Sequence, residues 1–163
     1  GGLLDVRDGP DGDDPAIRPN QVFAVSLPAS PLDPSAQAGV LSEIAEHLLT
    51  SHGLRSLSPA DPAYQGCYAG DIDARDGAYH QGTVWAWLLG HYAMAEHRVT
   101  GDARLALSRL EPLGDHLFDA GLGSISEIFD GDAPHRPRGA PCQAWSVACT
   151  LEAWWRLSGA SQR

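Results

Sequence analysis

The chain has 163 residues, 43% of them hydrophobic, which suits one domain with a real core and leaves a second cramped. Asp and Glu number 21 against 11 Lys and Arg, a net charge of -10 that argues against nucleic acid or an anionic membrane as partner. Three cysteines, Cys67, Cys142 and Cys149, are too few for a disulfide framework and point to a reducing, cytoplasmic setting. No apolar run is long enough to cross a bilayer, and the start, Gly-Gly-Leu-Leu-Asp, lacks the basic-then-apolar pattern of a signal peptide.

Residues 1–17 are rich in glycine and aspartate and are expected to form a loop. Asp5, Asp8, Asp11, Asp13 and Asp14 do not keep the spacing of a calcium loop, so a solvated turn is the favoured reading. Pro19 opens a short helix over 21–27, stopped by Pro28. Asp33 and Pro34 then cap and open an amphipathic helix with Val40, Leu41, Ile44, Leu48 and Leu49 on one face. The stretch from His52 to Asp76 has little periodicity and reads as a long functional loop, with Tyr64 and Tyr68 arguing against disorder.

From Tyr79 to about Val99 the chain is apolar on nearly all sides, the pattern of a buried helix opened by His80 and Gln81. Thr100-Gly101-Asp102 should break it and cap an outer helix through Leu105 and Leu117, kinked at Pro112. Gly121 and Gly123 end that segment, and a second buried helix runs from about Pro141 to Leu157. No strand signal competes. Inner and outer helices alternate, so the inner ones should run parallel and gather their polar N-termini on one face.

That face carries the candidate chemistry. Glu127 sits in a polar loop with Asp130, Asp132 and Arg138, followed by Gln143 at the next helix start. Carboxylate, amide and guanidinium groups beside aromatic rings suit a sugar, which offers hydroxyls along its edge and an apolar face for stacking. Hydrolysis of a glycosidic bond needs two carboxyl groups, and Glu127 can be one of them. A glutamate after serine is also a common capping or turn residue, and His80 and Gln81 can simply cap their helix. The tryptophans read mostly as core, with Trp85 and Trp145 placed to wall a pocket. The seven histidines lack one-face ligand spacing, so neither metal nor cofactor is expected.

Several strings occur in an order that carries a resemblance: Arg18-Pro-Asn-Gln, Gly53-Leu-Arg-Ser-Leu, Arg75-Asp-Gly-Ala-Tyr-His-Gln-Gly-Thr-Val-Trp, Ser124-Ile-Ser-Glu-Ile-Phe-Asp-Gly and Gln143-Ala-Trp-Ser. Together they resemble the C-terminal domain of glycogen debranching enzymes. The resemblance implies an all-α fold, the alpha/alpha toroid of six-hairpin glycosidases. Residues 1–163 would then be the C-terminal part of one such domain, with a loop over 1–17 and helices over 18–158. It implies amylo-alpha-1,6-glucosidase activity with inversion on a branched alpha-glucan or oligosaccharide. Glu127 would be the general base. Arg55, Asp71, His80, Gln81, Trp85, Asp130, Gln143 and Trp145 would lie at the sugar pocket.

Two departures from the family pattern are tolerable for the fold: Ala86 where proline usually follows Val-Trp, and Ala140-Pro-Cys before Gln-Ala-Trp. A third bears on function. The family's general acid, in a Trp-Met-Asp-Ala motif, has no counterpart in these residues. The expectation is half of a site, inactive alone, with apolar helix faces left bare for the missing N-terminal half of the domain or for self-association. The alternatives are a truncated, non-catalytic glucan-binding fragment and an alpha-glucosidase of the same fold with another substrate.

Overall fold

The computed structural model describes residues 1–120 and 122–161. Gly121, expected to help end a helical segment, lies outside the described residues, as do the last two positions.

The fold is helix-rich with two small sheets. β1 (Val6–Gly9) and β2 (Gly12–Asp14) form an exposed antiparallel hairpin where a loop was expected. Asp13 ties its turn by accepting from the Asp8 backbone N–H at 2.8 Å, and Asp8 and Gly12 take φ of 53° and 95°. A 3-10 turn (Pro19–Val22) leads directly into α1 (Phe23–Ser26), so the expected short helix is split into two geometries. α2 (Pro34–His47) begins as its sequence dictates, with Asp33 accepting from the Ala36 N–H and proline in the first turn.

The second sheet was not foreseen. β3 (Leu54–Arg55), β4 (Val84–Trp85), β5 (Ile128–Phe129) and β6 (Pro137–Arg138) form an antiparallel ribbon in that order. Each contributes two residues, too few for alternation to register in a sequence. The ribbon gathers loops from three distant parts of the chain, and the stretch after β3 closes with α3 (Ile72–Ala78), capped by Asp71. Tyr79 to Ala86 is therefore a turn and a strand, not the first turns of a helix, so His80 and Gln81 do not open the buried helix.

That helix, α4 (Trp87–Thr100), ends at Gly101 with φ 73°, and Asp102 caps α5 (Ala103–Ser108), both as expected. The kink expected at Pro112 is a full break: Arg109 and Leu110 separate α5 from α6 (Glu111–His116), and Pro112 sits in the first turn of α6. A first-turn proline lacks only an N–H that has no helical partner there. α7 (Ala144–Ser161) completes the described chain.

The inner elements do run parallel. Trp87 stacks on Trp145 at 4.4 Å where α4 and α7 begin. One turn further, a Cβ on Gly90 would lie 2.4 Å from the Cys149 carbonyl oxygen and 3.3 Å from Ala153, so the helices touch backbone to backbone. Phe23 of α1 meets Trp87 and His91 near the start of α4, and Arg98 near its end donates to the carbonyls of Val25 and Leu27. The N-termini of these three elements therefore share one end of the molecule.

Two buried clusters meet along α4. One holds Leu89, Ala93, Leu110, Leu113, Phe129 and Leu157, and the other Val22, Val25, Ile44, Leu48, Leu88 and Tyr92. Glu96, 4% exposed, pairs with Arg109 at 2.9 Å and fastens α4 to the α5–α6 junction. Trp154 and Trp155 are not core: they are 55% and 71% exposed, with Leu151 at 59%. α7 is wrapped on one side only, so the residues that made it read as buried all round face outward. Among the described residues, no helix is long and apolar enough to cross a membrane.

Candidate functional site

Glu127 is fixed by both its neighbours in sequence. Ile128 and Phe129 lie in the ribbon, fully buried, with Ile128 paired to Trp85 on one side and to Arg138 on the other. Ser126, 3% exposed, accepts from the Ser146 hydroxyl of α7 at 3.2 Å. Between them, the Glu127 N–H donates to the Ala140 carbonyl at 2.9 Å.

The carboxylate is held as firmly as its backbone. Oε1 accepts from the Tyr79 hydroxyl at 2.5 Å and Oε2 from the Ala140 N–H at 2.9 Å. Gly139 brings that N–H round at φ 66°, and a Cβ there would lie 2.5 Å from Oε2. Glycine meets both demands, the left-handed backbone and the close approach. Burial, then the hydrogen bond to Glu127, raises the Tyr79 phenol well above its ordinary range, so it stays a donor at neutral pH. The Ala140 contact is made by backbone, which is why the departure at that position leaves the grip intact.

Tyr79 links this carboxylate to an aromatic wall. Its ring lies 4.9 Å from Trp85 edge to face and 4.8 Å from His80. The His80 ring stacks flat on Trp85 at 5.2 Å. Thr83, fully buried, sets the spacing: its hydroxyl donates to the Tyr79 carbonyl at 2.6 Å and accepts from the Trp85 indole N–H at 3.1 Å. Trp85, His80, Trp87 and Trp145 with Arg18 and Asn20 line a cleft of about 410 Å³ at the common N-terminal end. A larger groove of about 940 Å³ lies at the opposite end, between Arg98 of α4 and Trp154 to Ala160 of α7, far from Glu127. The smaller one is walled by His80 and Trp85, which pack on Tyr79, the donor to Glu127.

Of the residues named from sequence, His80, Trp85 and Trp145 line this cleft and Glu127 is joined to the first two through Tyr79, with Trp145 half exposed on its own helix and stacked on Trp87. Gln81 stands behind the wall, its side-chain carbonyl accepting from Arg18 at 3.0 Å. Gln143 acts through its backbone, donating to the Ile125 carbonyl and accepting from Val147 as α7 begins. Arg55 donates its Nε to the Gly131 carbonyl at 2.9 Å and so ties β3 to the β5–β6 loop. Asp71 is exposed and caps α3 by accepting from Ala74 at 3.0 Å. Asp130 is 4% exposed, with both oxygens engaged by Arg138 and one also by the Tyr68 N–H at 2.8 Å.

Sequence reasoning missed Tyr79, Gly139 and Arg18. Tyr79 lies inside one of the quoted strings, but with His80 and Gln81 assigned to a helix start its hydroxyl had no partner to point at. Arg18 donates to the carbonyls of Ser56 at 3.0 Å and His80 at 2.8 Å, a bracing role that no local pattern announces.

A held carboxylate beside stacked aromatic faces suits the edge and face of a sugar ring. The chain is 27% identical over 168 aligned residues to the glycogen debranching enzyme of Saccharomyces cerevisiae, covering 89% of this chain. It spans 11% of that protein's length. Residues 1–152, which include Glu127, Tyr79 and the whole aromatic cleft, match the family described as amylo-alpha-1,6-glucosidase, and the chain belongs to that family.

Proposed function

We propose that this chain supplies the base side of a site that hydrolyses alpha-1,6-linked glucose at the branch points of glycogen or a similar alpha-glucan. The observation that carries the reading is the Glu127 carboxylate, gripped by Tyr79 and Ala140 at the edge of the His80–Trp85 wall. Each oxygen accepts one hydrogen bond from the protein and keeps a second lone pair for water. A glucosyl ring stacked in the cleft would present its anomeric carbon to that water. Glu127 takes the proton as the C–O bond breaks, and an acid outside these residues protonates the leaving oxygen. Attack on the face opposite the leaving group inverts the anomeric centre, which requires the two carboxyl groups to stand about 6.5–9.5 Å apart.

Two features support placing the chain in an alpha/alpha toroid. α1, α4 and α7 run parallel as inner helices, and α7 leaves Leu151, Trp154 and Trp155 bare. We assign that bare face to the remainder of the domain, and the free thiols of Cys67, Cys142 and Cys149 suit a cytoplasmic enzyme. Asp130, with its oxygens engaged, positions the β5–β6 loop, and Asp71 acts as a cap. A glucan-binding fragment without hydrolysis is the second reading, favoured by the fact that Asp130, the buried carboxylate nearest in sequence, is already paired to Arg138.

The test compares glucose release from an alpha-1,6-branched oligosaccharide by this chain alone and by the chain joined to an upstream domain segment, each with and without Glu127→Gln. Activity confined to the joined protein with Glu127 intact, releasing the inverted anomer by NMR, is the expected result. An inactive joined protein that still binds the oligosaccharide favours the second reading.

A further inference from the structure

Two residues beyond Glu127, histidines from distant segments gather at Phe129, and none of them lines the cleft. The His52 ring stacks on Phe129 at 4.6 Å, and His116 meets Phe129 edge to face at 5.0 Å. His52 and His116 are 6.0 Å apart, and His135 lies 6.5 Å from His52. None of them touches the reacting carboxylate.

His116 nevertheless grips its neighbour. The ring is 3% exposed at the end of α6, and its Nε2 receives the Ser126 N–H at 3.3 Å, with the Ser126 hydroxyl at 3.1 Å. A backbone N–H can only donate, so Nε2 carries a lone pair and the ring proton of the neutral imidazole sits on Nδ1. Ser126 is thereby held from two helices, its N–H and hydroxyl by α6 and its carbonyl by Ser146 of α7. The next peptide unit begins Glu127.

We infer that His116 is a positioning residue for Glu127, acting through Ser126, and that this grip is released by acid. The inference rests on Glu127 being the base. A proton on Nε2 would face the Ser126 N–H donor to donor, and the ring would have to leave. Ser126 would then lose its buried partner, and the Glu127 carboxylate would shift from Tyr79 and Ala140. The groups that face the ring set the balance. Burial disfavours the charged imidazole and Asp119 partly offsets it, while at His52 burial and the proximity of His116 and His135 push the same way. Ser126 and Phe129, which also contact the ring, carry no charge.

The experiment uses the complete active enzyme. In His116→Gln the amide oxygen can reach the Nε2 position and accept from Ser126 without titrating. In His116→Leu the acceptor is lost. We expect His116→Gln to keep kcat within about twofold at neutral pH and to move the acid limb of kcat to lower pH. We expect His116→Leu to lower kcat about tenfold at neutral pH with KM within about twofold. Imidazole 15N NMR of the parent should show His116 with Nε2 unprotonated at neutral pH, and the Ser126 amide signal should follow its titration. A merely structural His116 would leave the acid limb unmoved in His116→Gln, and that result, or a protonated Nε2 at neutral pH, overturns the inference. Full activity in a parallel Glu127→Gln control would instead sink the reading of Glu127 as base, on which the inference stands.

Discussion

The Tyr79 hydroxyl donates to Oε1 of Glu127 at 2.5 Å across 48 positions of sequence, joining the turn before β4 to the residue before β5. The bond exists because β4 and β5 pair, Trp85 to Ile128 and Val84 to Phe129. The Glu127 carboxylate and an aromatic wall are thus brought into fixed relation by two short strands.

Tyr79→Phe removes the hydroxyl and keeps the ring against Trp85 and His80. The carboxylate then retains only the Ala140 N–H. If Glu127 is the base, as proposed, kcat should fall about tenfold with KM within about twofold, since the lost bond would position the base and not the sugar. Steady-state kinetics on a branched oligosaccharide read both constants.

Gly139→Ala places a methyl 2.5 Å from Glu127 Oε2 and 3.0 Å from Ile128 at φ 66°. The left-handed backbone costs about 1–2 kcal/mol with a β-carbon present. Activity should suffer more than stability, because the methyl displaces the carboxylate itself. Thermal unfolding and turnover measured on one preparation separate the two.

Gly90→Ala tests the α4–α7 seam. Its methyl would stand 2.4 Å from the Cys149 carbonyl oxygen, a backbone atom that cannot turn aside. The helices must part, and a loss of about 2 kcal/mol is expected despite the better helix propensity of alanine. A denaturant titration followed by circular dichroism measures it.

Asp130→Asn leaves Arg138 without its carboxylate and weakens the acceptor for the Tyr68 N–H. Arg138 is about a third exposed, so solvent recovers part of the cost, and a loss of about 2 kcal/mol is expected. Sugar affinity measured well below the unfolding midpoint should be unchanged, which distinguishes positioning from direct substrate contact.

Acid should destabilise the fold through His52. Its pKa falls from 6.5 to about 4, because burial disfavours the cation and His116 and His135 lie close. Between pH 6.5 and about 4 the unfolded chain binds the proton and the folded chain does not, so stability is full above that window and declines as pH falls through it. The ring is half-buried, so the contribution is on the order of 2 kcal/mol. His52→Phe keeps a ring on Phe129 and should flatten the pH dependence of the unfolding free energy in that window.

Helix edges with chemical signatures were legible in the sequence. Asp33-Pro34 began α2 and Gly101-Asp102 separated α4 from α5, because caps and left-handed glycines act within a few residues. The parallel course of the inner helices followed from the alternation of buried and amphipathic segments. Glu127 stood out in its polar loop as a candidate carboxylate, and the role of base came from the resemblance, since its local context fits a turn as well as a base. The tertiary structure alone decided the ribbon of two-residue strands, whose members are too short for any periodicity. It also decided the surroundings of Glu127, because Tyr79, Gly139 and Ala140 meet it, and His116 meets its neighbour Ser126, through a pairing register and a helix packing that no local pattern encodes. It turned Trp154 and Trp155 outward as well. An apolar surface all round a helix says that it can be buried, and only the neighbours actually packed against it determine which side is.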